Sequence, residues 1–456
     1  MRLGRVQHVH LVGIGGSGMS GIAEVLVREG FRVSGSDQKA SDTTHRLEVL
    51  GCKVQIGHRA ENVSGADVLV YSTAVAADNP ERQQAERIGI PCIRRGEMLA
   101  ELMRLKVGVA VAGAHGKTTT TTLTGLLLDA AGYDPTVVVG GRILGVGGNT
   151  IPGRSEHMVA EADESDGSFL LLSHAFGIVT NLDREHMDHY GSYEALEQAF
   201  CDFMNEVPFW GAVVVCRDNP ALMKLLPQVN RRVITYGFHA QADVRGDITR
   251  SSLAGSDFQV TLADGRSKQF FLPVPGRHIV QNAIGAIALA VEMGADLDAC
   301  VRGLARYQGI HRRLERKFSS PALTLYDDYA HHPTEIAATL RAVKENTDQP
   351  IYAVFQPHRY TRTVDLWDRF GPAFADADAV WVMPVYSAGE PPIEGVTVER
   401  LVERMRQQLA CPVHVLAEPV AQTLLDTARQ GTLLMLGAGS ITKFADEVKH
   451  VLEKTA

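Results

Sequence analysis

The sequence predicts an α/β protein of three domains, each built on a largely parallel sheet. Two observations carry this. Short apolar runs alternate with helical patterns along all 456 residues, and glycine-rich turns stand where a strand hands over to a helix, at residues 13–18 and 113–116. A chain of this length exceeds one core, and about 150 residues per domain gives three.

The elements follow in order. "HVHLVG", a helical pattern over residues 17–30 and "FRVSGSD" make a βαβ unit that opens a doubly wound sheet. "RRGEMLAELMRLK" is charged and helix-prone, and places the first boundary near residue 95. The middle region carries the apolar runs "VAVAG", "MVAEAD", "GIVTN", "GAVVVC" and "RRVITYG", the rhythm of a second parallel sheet. From about Asp243 the pattern changes: "FQVTLADGRSKQFFL" alternates about Asp264-Gly265 and predicts a β-hairpin, in a small antiparallel sheet beside the main one. After the small-residue helix "GRHIVQNAIGAIALAVEMG", the basic "YQGIHRRLERK" leads to "LTLYDDY", "IYAVFQ", "AVWVMP" and "LLMLGAGS", a third α/β domain with glycines at its strand end. The expected domains are residues 1–95, 96–313 and 314–456.

Composition excludes several classes. A net charge of −8 argues against a polynucleotide partner, whose phosphates call for a basic face. Cysteines at 52, 92, 201, 216, 300 and 411 include no C-x-x-C pair, so neither a zinc ribbon nor a disulfide framework is indicated, and a reducing cytoplasm fits. Arg2 and Arg5 precede "VHLVGIGG", which breaks into glycines and reads as a strand start rather than a signal peptide. No run approaches the ~18 apolar residues of a membrane span.

"VAVAGAHGKTTTTT" is a shortened P-loop. Gly113, Ala114, His115, Gly116, Lys117 and Thr118 leave two residues between the glycines where the usual G-x-x-x-x-G-K-[ST] has four. Its chemistry survives: an apolar strand, a turn, a lysine, then Thr118 and Thr119 opening a helix whose dipole favours phosphate. "GIGGSGMSG" satisfies G-x-G-x-x-G through Gly13, Gly15 and Gly18, with Asp37 about 20 residues on at the next strand end. Alone that motif points to NAD on a Rossmann-like sheet, yet a sugar nucleotide offers the same diphosphate. ATP in the middle domain and a nucleotide-linked substrate in the first explain both loops, whereas a dehydrogenase leaves the P-loop idle. "VAEADESDGS" ends a strand in Glu161, Asp163, Glu164 and Asp166, where a P-loop protein places an acidic residue on Mg²⁺. Asp183, His186 and Asp188 follow the next strand.

Taken together, "GAHGKTT", "EADESD", "TNLDREHMDHY", "GRHIVQNAIGA", "GIHRRLE", "DDYAHHPTE" and "QPHRYTRT", in that order, resemble the Mur ligases of peptidoglycan synthesis. The resemblance runs nearly end to end and is strongest to the subgroup that adds a first L-alanine to UDP-N-acetylmuramate. It implies an ATP-dependent ligase that phosphorylates the lactyl carboxylate and lets the amine of alanine attack the acyl phosphate, with Lys117 and Mg²⁺ offsetting anionic repulsion.

It further implies residue roles. Thr118, Glu161 and His186 would hold metal, and His278 and Asn282 would flank adenine. Arg312 or Arg313 would meet ATP phosphate, and Asp328 the ribose. Tyr329, His331, His358, Arg359 and Arg362 would form the alanine pocket, an arginine gripping its carboxylate. Gly15, Gly16, Ser17, Gly18, Asp37, His58 and Ser72 are the candidates for the uridine nucleotide. No lysine lies between His186 and Trp210, so no carbamylated lysine is expected near the second metal. "DDYAHH" lacks a third histidine or cysteine at ligand spacing, which argues against zinc. Substrates on three domains imply closure that excludes water. A monomer or weak homodimer is expected, with no nucleic acid or membrane partner. A ligase adding a whole tripeptide to the same sugar nucleotide shares "DDYAHHPT", and an NAD-dependent oxidoreductase or a P-loop kinase stands further off.

Overall fold

A computed structural model describes residues 3–72, 74–146, 148–416 and 420–455. The chain forms two compact units, residues 1–247 with 258–271 and 281–308, and residues 248–257 with 272–280 and 309–456.

The first sheet comprises β1 (His8–Val12), β2 (Arg32–Asp37), β3 (Lys53–Ile56), β4 (Val68–Tyr71) and β5 (Cys92–Arg94), in the order β3-β2-β1-β4-β5. All its pairings are parallel. β1 is buried throughout, as a central strand covered on both faces must be. Strand order reverses at β1, so the loop leaving it opens at a switch point where α/β sheets bind ligands.

The second sheet has ten strands: β6 (Val107–Ala112), β7 (Thr136–Val138), β8 (Thr150–Ile151), β9 (His157–Glu161), β10 (Phe176–Val179), β11 (Ala212–Cys216), β12 (Val233–Gly237), β13 (Val244–Ser252), β14 (Gly255–Leu262) and β15 (Ser267–Leu272). Their order is β15-β14-β13-β12-β11-β10-β6-β9-β7-β8. β6 pairs in parallel with both β9 and β10, which brings the ends of all three strands together. The hairpin forms as expected, its turn closed by Leu262 N–H donating to Arg266 O at 2.8 Å with Gly265 at φ +86°. It does not stand beside the main sheet, however. β13 pairs in parallel with β12 and is followed by β14 and β15, so the hairpin continues the main sheet at its edge. The alternation in β14 buries Ser256, Phe258, Val260 and Leu262 on one face, and Phe258 stacks on Phe270 at 5.5 Å.

Helix Lys117–Ala130 follows β6 and buries five consecutive threonines, 118 to 122. Three hydroxyls of this helix return to carbonyls four residues back: Thr121 to Lys117, Thr122 to Thr118 and Thr124 to Thr120, at 2.7–2.9 Å. Helix Tyr193–Asn205 packs Phe200 and Phe203 on Phe169, with ring centroids 5.4 and 5.3 Å apart.

The third sheet lies in the second unit: β16 (Glu315–Ser319), β17 (Leu323–Asp328), β18 (Ile351–Phe355), β19 (Ala379–Val382), β20 (Val413–Val415) and β21 (Gly431–Leu436), in the order β16-β17-β21-β18-β19-β20. β21, last in sequence, is fully buried between β17 and β18. The sequence patterns announce four of these strands. β16, an antiparallel edge strand with an irregularity between Arg316 and Phe318, and the three-residue β20 are too short or too polar to show an alternating pattern. Among the described residues no helix is long and apolar enough to cross a membrane.

Candidate active site

The loop after β6 takes a conformation that its two glycines permit. Gly113 has φ +130° and Gly116 φ +82°, both in the left-handed region. A Cβ on Gly113 would fall on the Thr180 hydroxyl and lie 3.0 Å from Asn181 N, and one on Gly116 would sit 2.7 Å from Asn282 Oδ1. Asn181 braces the loop from the end of β10. Its Oδ1 accepts the His115 N–H at 2.8 Å and its Nδ2 donates to His115 O at 3.0 Å, while the Thr180 hydroxyl donates to the same carbonyl at 2.6 Å. These two residues are missing from the sequence-derived set, although they begin the quoted "TNLDREH"; polar side chains directly after a strand that adjoins the P-loop strand are the signal that could have found them. Asn282, expected beside adenine, lies against the loop itself.

Lys117 opens the helix and curls back, donating to Gly113 O at 2.7 Å and Glu164 Oε1 at 2.8 Å. Burial works against its charge, but the carboxylates of Glu164, Asp163 and Glu161 outweigh burial and hold the ammonium above the usual lysine range. Burial lifts Glu164 to about 7 against the pull of Lys117. Burial also opposes ionisation of Asp163, yet Arg95, 3.0 Å away, and Lys117 hold it below the ordinary carboxylate range.

Thr118 donates its hydroxyl to Glu161 Oε2 at 3.0 Å, and Gly140 N–H reaches the same oxygen at 2.7 Å. His186, at φ +57°, stands 3.7 Å from Glu164 Oε1 and 3.8 Å from Glu185 Oε2. Ligand atoms of Glu164, Glu185 and His186 fall within 4.8 Å of one another. Thr118 and Glu161 therefore come together, and His186 joins a second carboxylate group. Hydroxyl and carboxylate oxygens are the donors a hard divalent cation such as Mg²⁺ takes, and buried Glu164 Oε2 has no hydrogen-bond partner among the described residues. His115 Nε2 lies 3.2 Å from Asp183 Oδ2.

At the first sheet, Gly13 (φ +75°) and Ile14 donate backbone N–H groups to Ser36 O, and Gly15 N–H donates to Asp37 Oδ2 at 2.9 Å. Asp37 thus braces the glycine turn. Helix Ser17–Arg28 begins after Gly16 with no side-chain cap. A Cβ on Gly18 would meet Arg95 Cδ at 2.9 Å, so a larger residue there would have to displace that side chain. His58 follows β3 and bonds Ser36 Oγ through Nδ1 at 2.9 Å. Ser72 accepts Val75 N–H through its carbonyl. A polar cavity of about 130 Å³ is lined by Ser17, Ser20, Arg46, Arg142 and Asn149, among others. Its two arginines carry no sequence motif and escaped the sequence reading.

In the second unit, Asp328 ends β17 fully buried. Its two oxygens accept the backbone N–H groups of Leu314 (2.6 Å) and Ala330 (2.8 Å), and burial lifts its carboxyl to about 6 although Arg313 opposes the shift. A ribose hydroxyl would share oxygens that the backbone already uses. Arg312 (φ +58°) reaches the carbonyls of Gly437 and Ala438, while Arg313 lies 3.5 Å from Glu335. Both guanidinium groups sit about 5 Å over the Tyr329 ring. Burial, and then the Arg313 charge, push His278 down to about 4. His331 packs edge-on to Tyr329 and His358, at 5.4 and 5.8 Å. Burial, reinforced by His331 and the arginines, takes His358 down to about 3, so it is neutral and accepts from Arg362 Nη1 at 3.3 Å. Arg359 (φ +69°) is gripped by Glu390 at 2.5 Å, a partner that 31 residues of separation hid from the sequence reading.

A P-loop ending β6, a carboxylate cluster beside its lysine and a glycine turn on a separate parallel sheet define a nucleotide-using α/β enzyme. Comparison with known proteins narrows the class. Profiles described as Mur ligase family catalytic domain, Mur ligase middle domain and Mur ligase glutamate ligase domain match residues 8–107, 111–290 and 312–439. The chain belongs to the Mur ligase family. It is 49% identical over 449 residues to the UDP-N-acetylmuramate–L-alanine ligase of Solibacter usitatus, covering 97% of this chain and 95% of that one. To the enzyme of the same name from Pelobacter propionicus it is 45% identical over 458 residues, covering 99% and 100%. Among solved structures, the UDP-N-acetylmuramate–alanine ligase of Thermotoga maritima superposes with a TM-score of 0.82 at 28% identity, over 98% of this chain and 100% of that one. A murein peptide ligase from Psychrobacter arcticus shares the fold, with a TM-score of 0.72 at 22% identity over 98% of each chain.

Proposed function

We propose that this chain is an ATP-dependent ligase that joins L-alanine to the lactyl carboxylate of UDP-N-acetylmuramate, releasing ADP and phosphate, in peptidoglycan precursor synthesis. The observation that carries the reading is identity of 45–50% along essentially the whole chain to ligases of that name. The lysine-bearing loop beside the acidic cluster agrees with it.

In this reading the backbone N–H groups of residues 113–119 cradle the ATP phosphates. The Lys117 ammonium, held charged by its carboxylates, turns to the phosphoryl group in flight. Thr118 and Glu161 hold one Mg²⁺, and His186 with the neighbouring carboxylates a second; bound there, the metal offsets phosphate charge as a Lewis acid. A carboxylate oxygen of the sugar nucleotide takes the γ-phosphoryl as ADP leaves. The neutral amine of alanine attacks the acyl carbon, phosphate departs, and the amine proton is lost. Asn282 supports the loop, and His278, Arg312, Arg313 and Asp328 serve ATP. Residues 15–18, Asp37, His58 and Ser72 serve the uridine nucleotide. Tyr329, His331, His358, Arg359 and Arg362 form the amino-acid pocket, with Arg362, beside neutral His358, taking the carboxylate. The three domains, residues 1–95, 96–313 and 314–456, then divide as sugar nucleotide, ATP and amino acid.

The test is phosphate release from ATP and Mg²⁺ with UDP-N-acetylmuramate, with and without L-alanine, and the mass of the product. Alanine-dependent release with a product heavier by one alanyl residue is expected. Release triggered by a tripeptide and not by alanine would overturn the reading in favour of a murein peptide ligase.

A further inference from the structure

Beneath the first sheet a chain of buried hydrogen bonds ends on His58, the residue assigned above to the uridine nucleotide. Resting on that assignment, we propose that Glu81 is a positioning residue that keeps the proton of His58 on Nδ1, leaving Nε2 to accept a hydrogen bond from a donor on the nucleotide, the imide N–H of the base or a ribose hydroxyl.

The proton count leads there. Glu81 opens helix Pro80–Arg87 and has no exposed surface. Oε1 accepts Arg59 N–H at 3.2 Å and Asn62 Nδ2 at 2.5 Å, and Oε2 accepts the Ser36 hydroxyl at 2.6 Å, with His10 Nε2 3.3 Å away. Burial opposes its charge, but the bonds from His10, Ser36 and Asn62 prevail and hold the carboxyl below its ordinary range. The first turn of a helix also favours an anion.

An ionised carboxylate only accepts, so the single Ser36 proton is committed to it. Ser36 Oγ can then only accept from its other neighbour, His58 Nδ1 at 2.9 Å, and that nitrogen must carry hydrogen. In the neutral ring Nε2 is a bare acceptor, and among the described residues nothing bonds it. His58 follows β3 beside the end of β2, at the carboxyl edge where this sheet class binds ligands. Its side chain is 18% exposed, so a ligand can reach it.

Glu81→Gln reverses the order. The donors at Oε1, a backbone N–H and the Asn62 amide that also holds Gly57 O, cannot become acceptors, whereas the Ser36 hydroxyl can, so the amide oxygen stays at Oε1 and the NH₂ faces Ser36. Ser36 then accepts from the amide and donates to His58 Nδ1, which moves the ring proton to Nε2 and sets donor against donor at the nucleotide. The experiment is ¹⁵N NMR of His58 in full-length protein, with steady-state kinetics for each substrate. Wild type should show the Nδ1–H tautomer and Glu81→Gln the Nε2–H tautomer. KM for UDP-N-acetylmuramate should rise about tenfold, while kcat and the KM values for ATP and alanine hold. An unchanged tautomer, or a shifted tautomer with unchanged KM for the sugar nucleotide, overturns the inference. Ser36→Ala, which spares the carboxylate, should lose the tautomer preference as well; retention of the Nδ1–H form there also overturns it. Wild-type protein that binds no uridine nucleotide would instead strike the functional reading, and the ligand half of this inference with it.

Discussion

Removing Lys117 should expose how the nucleotide loop balances its charges. The ammonium lies 2.8 Å from Glu164 Oε1, with the two side chains 14% and 2% exposed. At an effective dielectric of about 20, that separation corresponds to about 6 kcal/mol of attraction, which desolvation of both groups largely offsets. Truncating one partner removes the attraction and leaves the desolvation. At about pH 9, where Glu164 with its value of about 7 is ionised beside the ammonium, Lys117→Ala is therefore expected to cost about 3–5 kcal/mol, whereas at about pH 6 the carboxyl takes a proton instead and the cost should shrink toward that of the double variant. Adding Glu164→Gln removes the stranded charge and should return the cost to about 1–3 kcal/mol, that of a lost hydrogen bond and unfilled space. Activity should follow a different course: both variants lack the ammonium, and phosphate release should fall by about 10²–10³ in each. Urea denaturation and alanine-dependent phosphate release on the two variants give both numbers. A double variant no more stable than the single one at about pH 9 would refute the charge argument, and a double variant that recovers activity would refute the role of Lys117 at the phosphoryl group.

Gly113→Ala should abolish ATP binding with little loss of the first sheet, because the new Cβ meets Thr180 and Asn181 at a φ of +130°; calorimetric titration with ATP checks it. Glu161→Gln should raise the Mg²⁺ concentration for half-maximal activity by about tenfold or more, on the loss of one charged oxygen ligand; a metal titration that does not move would remove Glu161 from the metal site. For Asp328 the sign is set by a folded value of about 6 against ~3.9 unfolded. A raised carboxyl destabilises the fold above about pH 6 and ceases to do so below ~3.9, so Asp328→Asn should lose relative stability, by about 1.4 kcal/mol, as pH falls from about 7.5 to about 5. Stability differences that stay constant over that interval would show that Asp328 is not lifted by burial.

Much of this was legible in the sequence because glycine spacing and strand periodicity are local signals. Gly113 and Gly116 announced the loop, and positive φ at both bears out the turn. "LLMLGAGS" announced a buried strand, though not that it would insert at the centre of its sheet. The hairpin at Asp264-Gly265 was readable, whereas its continuation of the main sheet depends on the edge offered by β13 and not on its own residues. The unread site features are pairings across long separations. Asn181 reaches back 66 residues to the loop, and Arg95 reaches Asp163 over 68. Glu81 and Ser36, 45 residues apart, share a bond that neither flanking sequence hints at. The Asp328 oxygens looked free for a ligand in the sequence, since backbone partners leave no trace in it.

The threonine-rich helix behind the nucleotide loop has a consequence for how this enzyme fails. Five threonines in succession cost a helix about 3 kcal/mol relative to alanine, so this segment has almost no tendency to form by itself and exists because the sheet and helix Leu297–Leu304 bury it. The geometry of residues 113–117 is thus on loan from the domain interior. Mild heat, chaotropes or a distant cavity mutation that slackens that interior should be felt first as weakened grip on ATP, while the bulk of the protein is still folded. Amide exchange along residues 117–130 would register the same early softening, and ATP would slow it by returning the helix to its mould.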